Sequence, residues 1–537
     1  MTVPLDRLPW VRGLALTYSH AYDRLASFYA GNPKSSSAWR ESIGRLRERA
    51  FDRDALVEVL TRQQERRQAP AAARRNAERL RDGGCVAVVT GQQAGAAGGP
   101  LYTLLKALTA IRVAECVERK HGTPAVPVFW IDAEDHDWDE VAGLTLLDAE
   151  FHPTTLTVPR PAGANHVPVA SVVLDASVES FVADVAATLP PTEFTSDLVR
   201  RLAAAYRPGT GMADAFGQWL ESVLGPRGLI LYDCSDPAAK PLSAGVFVHE
   251  LSHPGRTAQL AAEAGASLTS EGFHAQVDSR PDGIALFRIG SERHLIVRDG
   301  GDLTAGHERV PSHEWVARAE REPQGFSPNV LLRPIVQDTL FPTIAYVAGP
   351  SELAYLGQLK GVYEHFGLPM PLIVPRATAT ITDANATRFL SKTALDFTVL
   401  QAQDESELNR FLQSHLPPGV ESSMEAAQQA TSDSMARVIA ALPALDATLE
   451  GAARSTLGRM EHELRTLHSK VIHAAKKRDE TLRRQFLRTR ALVFPQGHLQ
   501  ERTIGFLWFL NRYGPAFVDV LERDLPLDGS VHALLTV

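Results

Sequence analysis

Residues 85–131 constrain the fold of this chain more than any other segment. The valine-rich apolar run CVAVVTG is typical of a strand buried on both faces of a parallel sheet. It is followed by the glycine-rich turn GQQAGAAGGP, the helical pattern LYTLLKALTAIRVAECVERK and a second apolar run, VPVFWI. Strand, turn, helix and strand in this order predict a right-handed βαβ unit, and therefore an α/β fold with a parallel sheet.

The same rhythm returns later in the chain. The runs GLILYD (228–233), TIAYVAG (343–349) and MPLIVPR (370–376) each read as a buried strand, and a helical pattern joins the last two. Residues 151–226 interrupt this rhythm. The segments FHAQVD, GIALFRI and RHLIVR between 272 and 299 predict an antiparallel meander. We expect one α/β core with two insertions, preceded by a mostly helical lead-in.

Residues 424–490 follow a different pattern. Their apolar side chains recur every three or four positions, as in Met435, Ile439, Leu442, Leu445 and Leu449 and again in Leu457, Met460, Leu464, Leu467 and Val471. This spacing predicts a helical hairpin or coiled coil, with Pro443 at a kink or a helix start. The span 470–490 is rich in Lys and Arg, and it is either a solvated helix face or a face that binds phosphate or another subunit.

Composition excludes several classes of protein. With 55 Lys and Arg against 63 Asp and Glu, the net charge of −8 does not favour nucleic acid or an anionic membrane. No apolar run approaches about eighteen residues and the N-terminus lacks a signal-peptide pattern, so we expect neither membrane spanning nor secretion. Cys85, Cys116 and Cys234 lie far apart, which excludes a disulfide framework or a four-thiolate zinc site and indicates a reducing compartment. We expect a cytoplasmic protein.

The glycine-rich turn is the first candidate binding site. A turn between a strand and a helix brings together backbone N–H groups that suit a phosphate or a carboxylate. Gln92 and Gln93 have no evident packing purpose, so with Gly95, Gly99 and Tyr102 they are candidate ligands of substrate or nucleotide. The turn matches neither G-x-G-x-x-G nor a P-loop. The alternative is that its glycines only allow close packing of the helix on the sheet.

The acidic run EDHDWDE (134–140) is the second candidate. It follows the strand VPVFWI, and ligands of open α/β sheets collect at the carboxyl ends of strands. Asp135, His136 and Asp137 are the candidate catalytic residues, because a histidine among carboxylates can move protons and the carboxylates can hold an ammonium or Mg²⁺. The alternative is a solvated acidic loop.

The segment HELSH (249–253) fits the zinc motif H-E-x-x-H letter for letter. Pro254 and Gly255 end the helix directly after His253, so the helical turn that usually supports such a pair is missing. We therefore predict no metal site from this motif.

The fourth candidate lies between 326 and 376. Asn329 and Arg333 precede the strand TIAYVAG, while Ser351 and Glu352 follow it at a helix start. Arg333, and Arg376 after the strand MPLIVP, could clamp a phosphate or carboxylate. The alternative for both arginines is a structural pairing with an acid of the core.

Five segments together resemble the bacillithiol-biosynthesis cysteine ligase family, BshC: TGQQAGAAGGPLYTLLKALTAI, PVFWIDAEDHDWDEV, FSPNVLLRPIVQDTLFPTIAYVAGPSELAYLGQL, LIVPRAT and LQERTIGFLWFLNRYGPAFVDVL. The resemblance implies a Rossmann-type parallel-sheet core, two connecting-peptide insertions and an α-helical coiled-coil domain that forms a homodimer. The expected boundaries are 1–152 for the N-terminal helices and first half of the core, 153–226 for the first insertion, 227–252 for a core strand and helix, 253–325 for the β-rich second insertion, 326–392 for the second half of the core, 393–494 for the coiled coil and 495–537 for a C-terminal segment that packs on the core.

The reaction implied by the resemblance joins the carboxyl group of cysteine to the amine of glucosaminyl-malate, with ATP as the energy source and ADP or AMP as product. Mg²⁺ is a further candidate partner, and His136 is the candidate base for the attacking amine. The chain departs from the family at Ala96 and Ala97, where bulkier residues are usual, and it lacks the H-I-G-H and K-M-S-K-S sequences of class I synthetases.

Two alternatives stay open. One is a related nucleotidyltransferase or ligase that acts on another amino sugar or thiol, because Ala96 and Ala97 could widen the pocket. The other is a dimeric scaffold without enzymatic activity, whose coiled coil binds a partner or RNA through the basic span 470–490.

Overall fold

A computed structural model describes residues 1–164, 167–278, 280, 282–290, 292–414, 419–446, 448–478 and 480–537, with the side chains of 475–478 left out. The chain forms two compact units. The first comprises Met1–Ile381, Gln500–Leu535 and Val537, and the second comprises Thr382–Leu499 with Thr536. The predicted coiled-coil boundaries at 393 and 494 fall inside the second unit.

The strands are β1 (Thr2–Pro4), β2 (Val86–Gln93), β3 (Ala125–Asp132), β4 (Gly143–Leu147), β5 (Pro153–Thr157), β6 (Ile230–Asp233), β7 (Gly283–Ile289), β8 (Arg293–Asp299), β9 (Asp302–Ala305), β10 (Glu308–Pro311), β11 (Phe326–Pro328), β12 (Thr343–Ala348), β13 (Leu372–Pro375), β14 (Thr378–Thr382) and β15 (Val531–Thr536).

The helices up to residue 365 are α1 (Gly13–His20), α2 (Ser36–Arg47), α3 (Arg53–Arg67), α4 (Ala71–Arg79), α5 (Leu101–His121), α6 (Trp138–Ala142), α7 (Val178–Thr188), α8 (Thr195–Ala205), α9 (Met212–Leu224), α10 (Ala244–Ser252), α11 (Arg256–Ser270), α12 (Ser312–Arg321), α13 (Arg333–Leu340), α14 (Pro350–Leu356) and α15 (Lys360–His365). The later helices are α16 (Ala384–Thr393), α17 (Ser406–Ser414), α18 (Val420–Ala441), α19 (Leu449–Arg478), α20 (Glu480–Val493), α21 (Gln500–Thr503), α22 (Phe506–Tyr513) and α23 (Ala516–Asp524).

A five-stranded parallel sheet forms the centre of the first unit, in the order β13-β12-β2-β3-β6. Its strands are the five apolar runs that the sequence predicts, and their Val, Ile, Leu and Ala side chains are buried on both faces. The α/β prediction is therefore confirmed. The chain leaves β2 toward β3 and β6 on one side and returns to β12 and β13 on the other, so the strand order switches between β12 and β2.

The helix α5 shows how local sequence sets an element of this core. One side of α5 packs against β2 and β3, and the helix ends at His121 because Gly122 takes the left-handed conformation, with φ of 62°, and donates its N–H to the Glu118 carbonyl. Its last turn is basic, which suits the negative end of the helix dipole.

The glycine turn before α5 is held by the C-terminal segment. A side chain on Gly98 would place its Cβ 2.3 Å from the Phe506 ring, and Gly98 has φ of +88°. Only glycine suits this approach. The Leu101 N–H donates to the Ile504 carbonyl at 2.9 Å, and the Phe506 N–H donates to the Gly99 carbonyl at 3.3 Å. These hydrogen bonds join residues 504–506 to the glycine turn and the start of α5.

Two groups of elements interrupt the parallel sheet. Between β3 and β6 the chain forms the antiparallel pair β4–β5 and the helices α7–α9, so the predicted boundary at 153 falls within a hairpin. A second, antiparallel sheet has the order β10-β9-β8-β7-β11. It includes β11, just beyond the predicted boundary at 325, whereas FHAQVD (273–278), which we predicted as a strand, has no regular structure.

The second unit is helical, and its two longest helices, α18 and α19, pack on each other as the predicted hairpin. Pro443 lies in the short 3-10 turn Leu442–Ala444 that follows α18, since proline cannot continue an α-helix. His468 of α19 lies 3.2 Å from a carboxylate oxygen of Glu421 in α18. Among the described residues, none of the helices combines the length and the apolar character that crossing a bilayer would take.

Candidate active site

A polar cavity of about 500 Å³ opens at the carboxyl ends of β2, β3, β6 and β12. Ligands of open α/β sheets bind at this edge, beside the point where the strand order switches. In this sheet the switch lies between β12 and β2, and residues that follow both strands line the cavity. The topology therefore identifies this cavity as the candidate site.

Most of the side chains predicted from the sequence meet here. Those that line the cavity are Gln92, Gln93, Tyr102, Asp135, Asn329, Arg333, Ser351, Glu352 and Arg376.

Lys106 and Glu352 form the central ion pair of the site. The Lys106 ammonium, 2% exposed, donates to a Glu352 carboxylate oxygen at 2.6 Å and to a Gln92 oxygen at 3.3 Å. Glu352 also accepts from the Tyr346 hydroxyl at 2.6 Å and from the Gly349 N–H at 2.7 Å. Burial by itself would raise the pKa of Glu352, but Lys106 and these hydrogen bonds lower it below the ordinary value. Glu352 is therefore an ionised carboxylate that fixes the end of β12 and the start of α14.

Arg333 is a cation that lines the cavity, and among the described residues no carboxylate lies within ion-pair distance of its guanidinium, although Asp132 interacts with it through charge. Its guanidinium donates to Gln337 and Tyr355, each at 3.0 Å, and lies 5.4 Å from the centre of the Tyr346 ring. These partners are uncharged, so they orient the fork while its positive charge stays available to a ligand. The structural alternative for this arginine, a core ion pair, does not describe these contacts.

Arg376, in contrast, pairs with an acid of the core. It forms a buried ion pair with Glu501 at 2.6 Å, and its guanidinium lies 5.6 Å from the Tyr102 ring. Arg502 lies on the same ring at 5.5 Å and also lines the cavity. The helix α21 thus supplies one charge that anchors Arg376 and a second, exposed cation at the cavity wall.

The cavity lining also includes acids. Asp132 ends β3 and lines the cavity; burial raises its pKa, while Arg333 and Arg293 act in the other direction. A guanidinium nitrogen of Arg293 lies 3.5 Å from a carboxylate oxygen of Asp135 and its guanidinium lies 3.6 Å from the Phe287 ring. Cations and carboxylates thus face one cavity, an arrangement that can bind a zwitterion or a molecule with several carboxylates.

Glu134 also lines the cavity, and a second buried ion pair neutralises it. Lys240 donates to Glu134 and, at 3.1 Å, to the Phe326 carbonyl. Burial raises the pKa of Glu134, and Lys240 opposes that rise. This pair ties the end of β3 to the start of β11 and so holds the wall in place.

The side-chain amides of Gln92 and Gln93 line the cavity and also donate hydrogen bonds to neighbouring side chains. Gln92 donates to the Tyr102 hydroxyl at 3.0 Å, and Gln93 donates to the Glu140 carboxylate at 2.8 Å. Asn329 uses its side-chain oxygen to accept from the Leu331 N–H at 2.9 Å. Their remaining donors are available to a ligand in the cavity.

Four predicted residues do not line the cavity. Gly95 and Gly99 are not part of its lining. Inside the turn the Gly98 and Gly99 N–H groups donate to the Gly95 and Ala96 carbonyls, and the Ala97 N–H donates to the Tyr206 hydroxyl. The prediction that the glycine turn itself cradles an anion is therefore corrected.

The acidic loop needs a similar correction. Asp137 caps α6 by accepting from the Glu140 N–H at 3.1 Å, which is a structural role. His136 is half exposed and lies 3.2 Å from Asp135, outside the cavity lining. Of the three candidate catalytic residues, only Asp135 faces the cavity. Ala96 and Ala97 are buried away from it, so they do not widen it.

The sequence patterns did not indicate several residues of the site: Lys106, Asp132, Arg293, Tyr346, Tyr355 and Arg502. For two of these residues the sequence context was informative. Lys106 is a lone charge within the apolar helical pattern LYTLLKALTAI, and Asp132 directly follows the strand VPVFWI. Arg293 and Arg502 come from elements distant in the sequence, and no local pattern marked them.

Fold and site together define a class of protein: a Rossmann-like α/β domain with a charged ligand cavity, joined to a helical coiled-coil domain. The chain belongs to the BshC family of bacillithiol biosynthesis. Residues 4–377 match its N-terminal Rossmann-like domain, and residues 379–536 match its C-terminal coiled-coil domain. The family resemblance found in the sequence is confirmed.

Relatives that align with most of this chain carry the name of the same family. A Salinibacter ruber protein named "Putative cysteine ligase BshC" is 34% identical over 98% of this chain and 96% of its own length. Proteins of the same name from Koribacter versatilis and Chlorobaculum tepidum are each 32% identical, over 97% and 90% of this chain and 96% and 88% of their own lengths.

Proposed function

We propose that this chain is the cysteine ligase of bacillithiol biosynthesis, which joins the carboxyl group of cysteine to the amine of glucosaminyl-malate with ATP. The observation that carries the proposal is the charged cavity at the strand switch in a member of this family. Glucosaminyl-malate has two carboxylates and an amine, and cysteine has a carboxylate and an ammonium. A cavity lined by both guanidinium groups and carboxylates matches both sets of charges.

Arg333 and Arg502 are the cations that we assign to substrate carboxylates or phosphates. Arg333 is already oriented by Gln337 and Tyr355, so a ligand would meet a fixed fork. Arg293 lines the same cavity beside Asp135, where it can bind the second carboxylate. The amides of Gln92 and Gln93 complete the polar contacts.

The reaction needs activation because a free carboxylate is a poor electrophile. A carboxylate oxygen of cysteine would attack ATP, releasing pyrophosphate and leaving an adenylate, or releasing ADP and leaving an acyl phosphate. The amine nitrogen then forms the C–N bond, the C–O bond to AMP or phosphate breaks, and one proton leaves the nitrogen.

We transfer the role of base for that proton from His136 to Asp132. Asp132 lies inside the cavity and has a raised pKa, which brings a carboxylate closer to the range where a base is effective near neutral pH. His136 lies outside the lining and serves here as a neighbour of Asp135.

Asp135 and Glu140 are the carboxylates that would hold Mg²⁺. Both line the cavity, and hard oxygen donors are what Mg²⁺ prefers. When bound, Mg²⁺ would neutralise charge on the nucleotide phosphates.

The helical unit supports a second part of the proposal, a homodimer. Val438, Leu445, Met460 and Leu467 on the α18–α19 hairpin and its connecting turn are between 41% and 83% exposed. A row of exposed apolar side chains on a helical hairpin is typical of a surface that another helix covers. We also place the protein in the cytoplasm, which three unpaired cysteines support.

The test is direct. The purified protein is incubated with cysteine, glucosaminyl-malate and MgATP, and products are identified by mass spectrometry. We expect bacillithiol, with AMP if the route passes through an adenylate and ADP if it passes through an acyl phosphate. An Arg333→Gln variant prepared in parallel serves as the control for contaminating activity. Folded protein that forms neither product nor either nucleotide contradicts the proposal and favours the scaffold alternative.

A further inference from the structure

Three histidines meet on the first unit, outside the lining of the candidate active site. His249 lies in α10, His253 follows its last turn, and His365 ends α15. One ring nitrogen from each lies within 4.8 Å of the other two, and the ring centres are 4.4, 4.7 and 5.2 Å apart. Two elements separated by more than a hundred residues in sequence thus bring three imidazoles to one point.

This geometry revises the interpretation of the HELSH segment. As the sequence predicts, α10 ends at Ser252 ahead of Pro254 and Gly255. The break does not separate the pair, because the His249 and His253 ring centres still lie 4.4 Å apart, with the ring planes tilted by 32°. The third histidine comes from α15, so the site does not need the missing helical turn.

Each of the three rings can offer one nitrogen to a metal ion. His253 uses Nδ1 in a hydrogen bond to the His249 carbonyl at 2.9 Å, which leaves its Nε2 as the ligand atom. The Nε2 atoms of His249 and His365 are buried and have no hydrogen-bond partner within the part of the chain that the structure describes. A buried polar atom without a partner is unfavourable, and a metal ion would satisfy both.

We propose that His249, His253 and His365 form a binding site for one borderline divalent transition metal of the Zn²⁺ type. Three imidazoles suit Zn²⁺ far better than Mg²⁺ or Ca²⁺, which prefer oxygen ligands. Zinc–nitrogen bonds of about 2.1 Å need nitrogens roughly 3.4 Å apart in a tetrahedron. Side-chain rotation closes the present separation to that value.

The fourth ligand is solvent or a small anion. His253 and His365 line a cavity of about 700 Å³ that also includes Gln259, Glu263 and Arg256. A metal held by three histidines therefore keeps an open position on that side.

The site is not that of a metallopeptidase. Glu250, the acid of the motif, is buried and accepts from the Thr257 hydroxyl and, at 2.8 Å, from the Ala285 N–H. Its carboxylate is committed to the fold and does not serve as a hydrolytic base. The metal would instead connect the end of α10 to the end of α15.

The experiment uses the full, untagged chain after chelator treatment and dialysis. Zn²⁺ binding is measured by titration calorimetry and elemental analysis, and Co²⁺ is added as a spectroscopic probe. We expect one equivalent of metal, visible Co²⁺ bands of a four-coordinate nitrogen site, and a melting temperature that rises with Zn²⁺. In His253→Ala and His365→Ala we expect at least a hundredfold weaker binding and no rise in melting temperature.

His307→Ala, at an exposed histidine outside the cluster, is the matched control and keeps wild-type binding. His253 is itself exposed, so its replacement leaves the fold intact, which circular dichroism verifies. The proposal is overturned if the wild-type chain binds less than one equivalent or gives no Co²⁺ bands, or if both variants bind as tightly as the control.

Discussion

The Lys106–Glu352 pair gives the sharpest test of how the site is built. Glu352→Gln keeps the size of the side chain but removes its negative charge, and it leaves the nearly buried Lys106 ammonium without its counter-ion. The complementary change, Lys106→Met, keeps the length of the side chain and leaves Glu352 unpaired. Both side chains are mostly buried, at 2% and 22% exposure.

Breaking a buried pair by removing one partner costs about 3–5 kcal/mol, because the remaining charge stays desolvated. We expect each single variant to lose stability on that scale. The double variant Lys106→Met/Glu352→Gln leaves no unpaired charge, so its loss should be smaller than the sum of the two single losses by about 2 kcal/mol or more.

The ionisation of Glu352 makes the free energy of unfolding depend on pH. The folded-state pKa of Glu352 lies below its unfolded value of about 4.3, so its contribution to stability is present above that pH and is lost as the pH falls through the folded pKa. Glu352→Gln should therefore flatten the decrease in stability on acidification below about pH 4.3.

The assay is urea unfolding followed by tryptophan fluorescence at pH 7 and at a series of acidic pH values. Glu314→Gln, which breaks the more exposed i,i+4 pair with Arg318, is the control and should cost less than about 1 kcal/mol. Additive losses in the double variant, or a Glu352→Gln loss no larger than that of the control, would refute the reasoning.

Three further predictions concern activity and assembly. Arg333→Gln should lower kcat/KM for ligation roughly 10- to 150-fold, as expected for about 1.5–3 kcal/mol from a charge-assisted hydrogen bond, and an unchanged value in steady-state assays would remove it from substrate binding. Asp132→Asn should reduce kcat roughly 10²- to 10⁴-fold while His136→Ala has little effect; the reverse order in rapid-quench measurements would restore His136 as the base. Met460→Glu with Leu467→Glu should convert a dimer to a monomer in sedimentation velocity without loss of helix content, and a persistent dimer would place the interface elsewhere.

The strands of the core could be predicted because each is marked by a short local sequence pattern. Each strand of the parallel sheet is an apolar run bounded by glycine, proline or polar residues, and burial on both faces makes such runs conspicuous. The prediction of a strand at FHAQVD was wrong. This segment alternates like a half-buried strand, yet it has no regular structure, and the sheet takes β11 beside β7.

The site was predictable only in part. Residues at or shortly after the ends of strands, such as Gln92 and Glu352, could be located because the topology brings the strand ends to one edge. Arg502 and Arg293 reach that edge from distant elements, which no spacing reveals. The glycine turn shows a further limit: its composition suits an anion, but its N–H groups donate to nearby backbone carbonyls and to the Tyr206 hydroxyl.

Synthesis order gives the discontinuous first unit a temporal consequence. Its parallel sheet is encoded before residue 382. Glu501, which forms the ion pair with Arg376, and Phe506, which packs against Gly98, are encoded only after the helical unit of about 120 residues. At 5–20 residues per second a ribosome takes roughly 6 to 24 s to cross that interval. During it the nascent sheet has an unpaired Arg376 and an open glycine turn, so the ligand cavity is assembled only after the helical unit has left the ribosome.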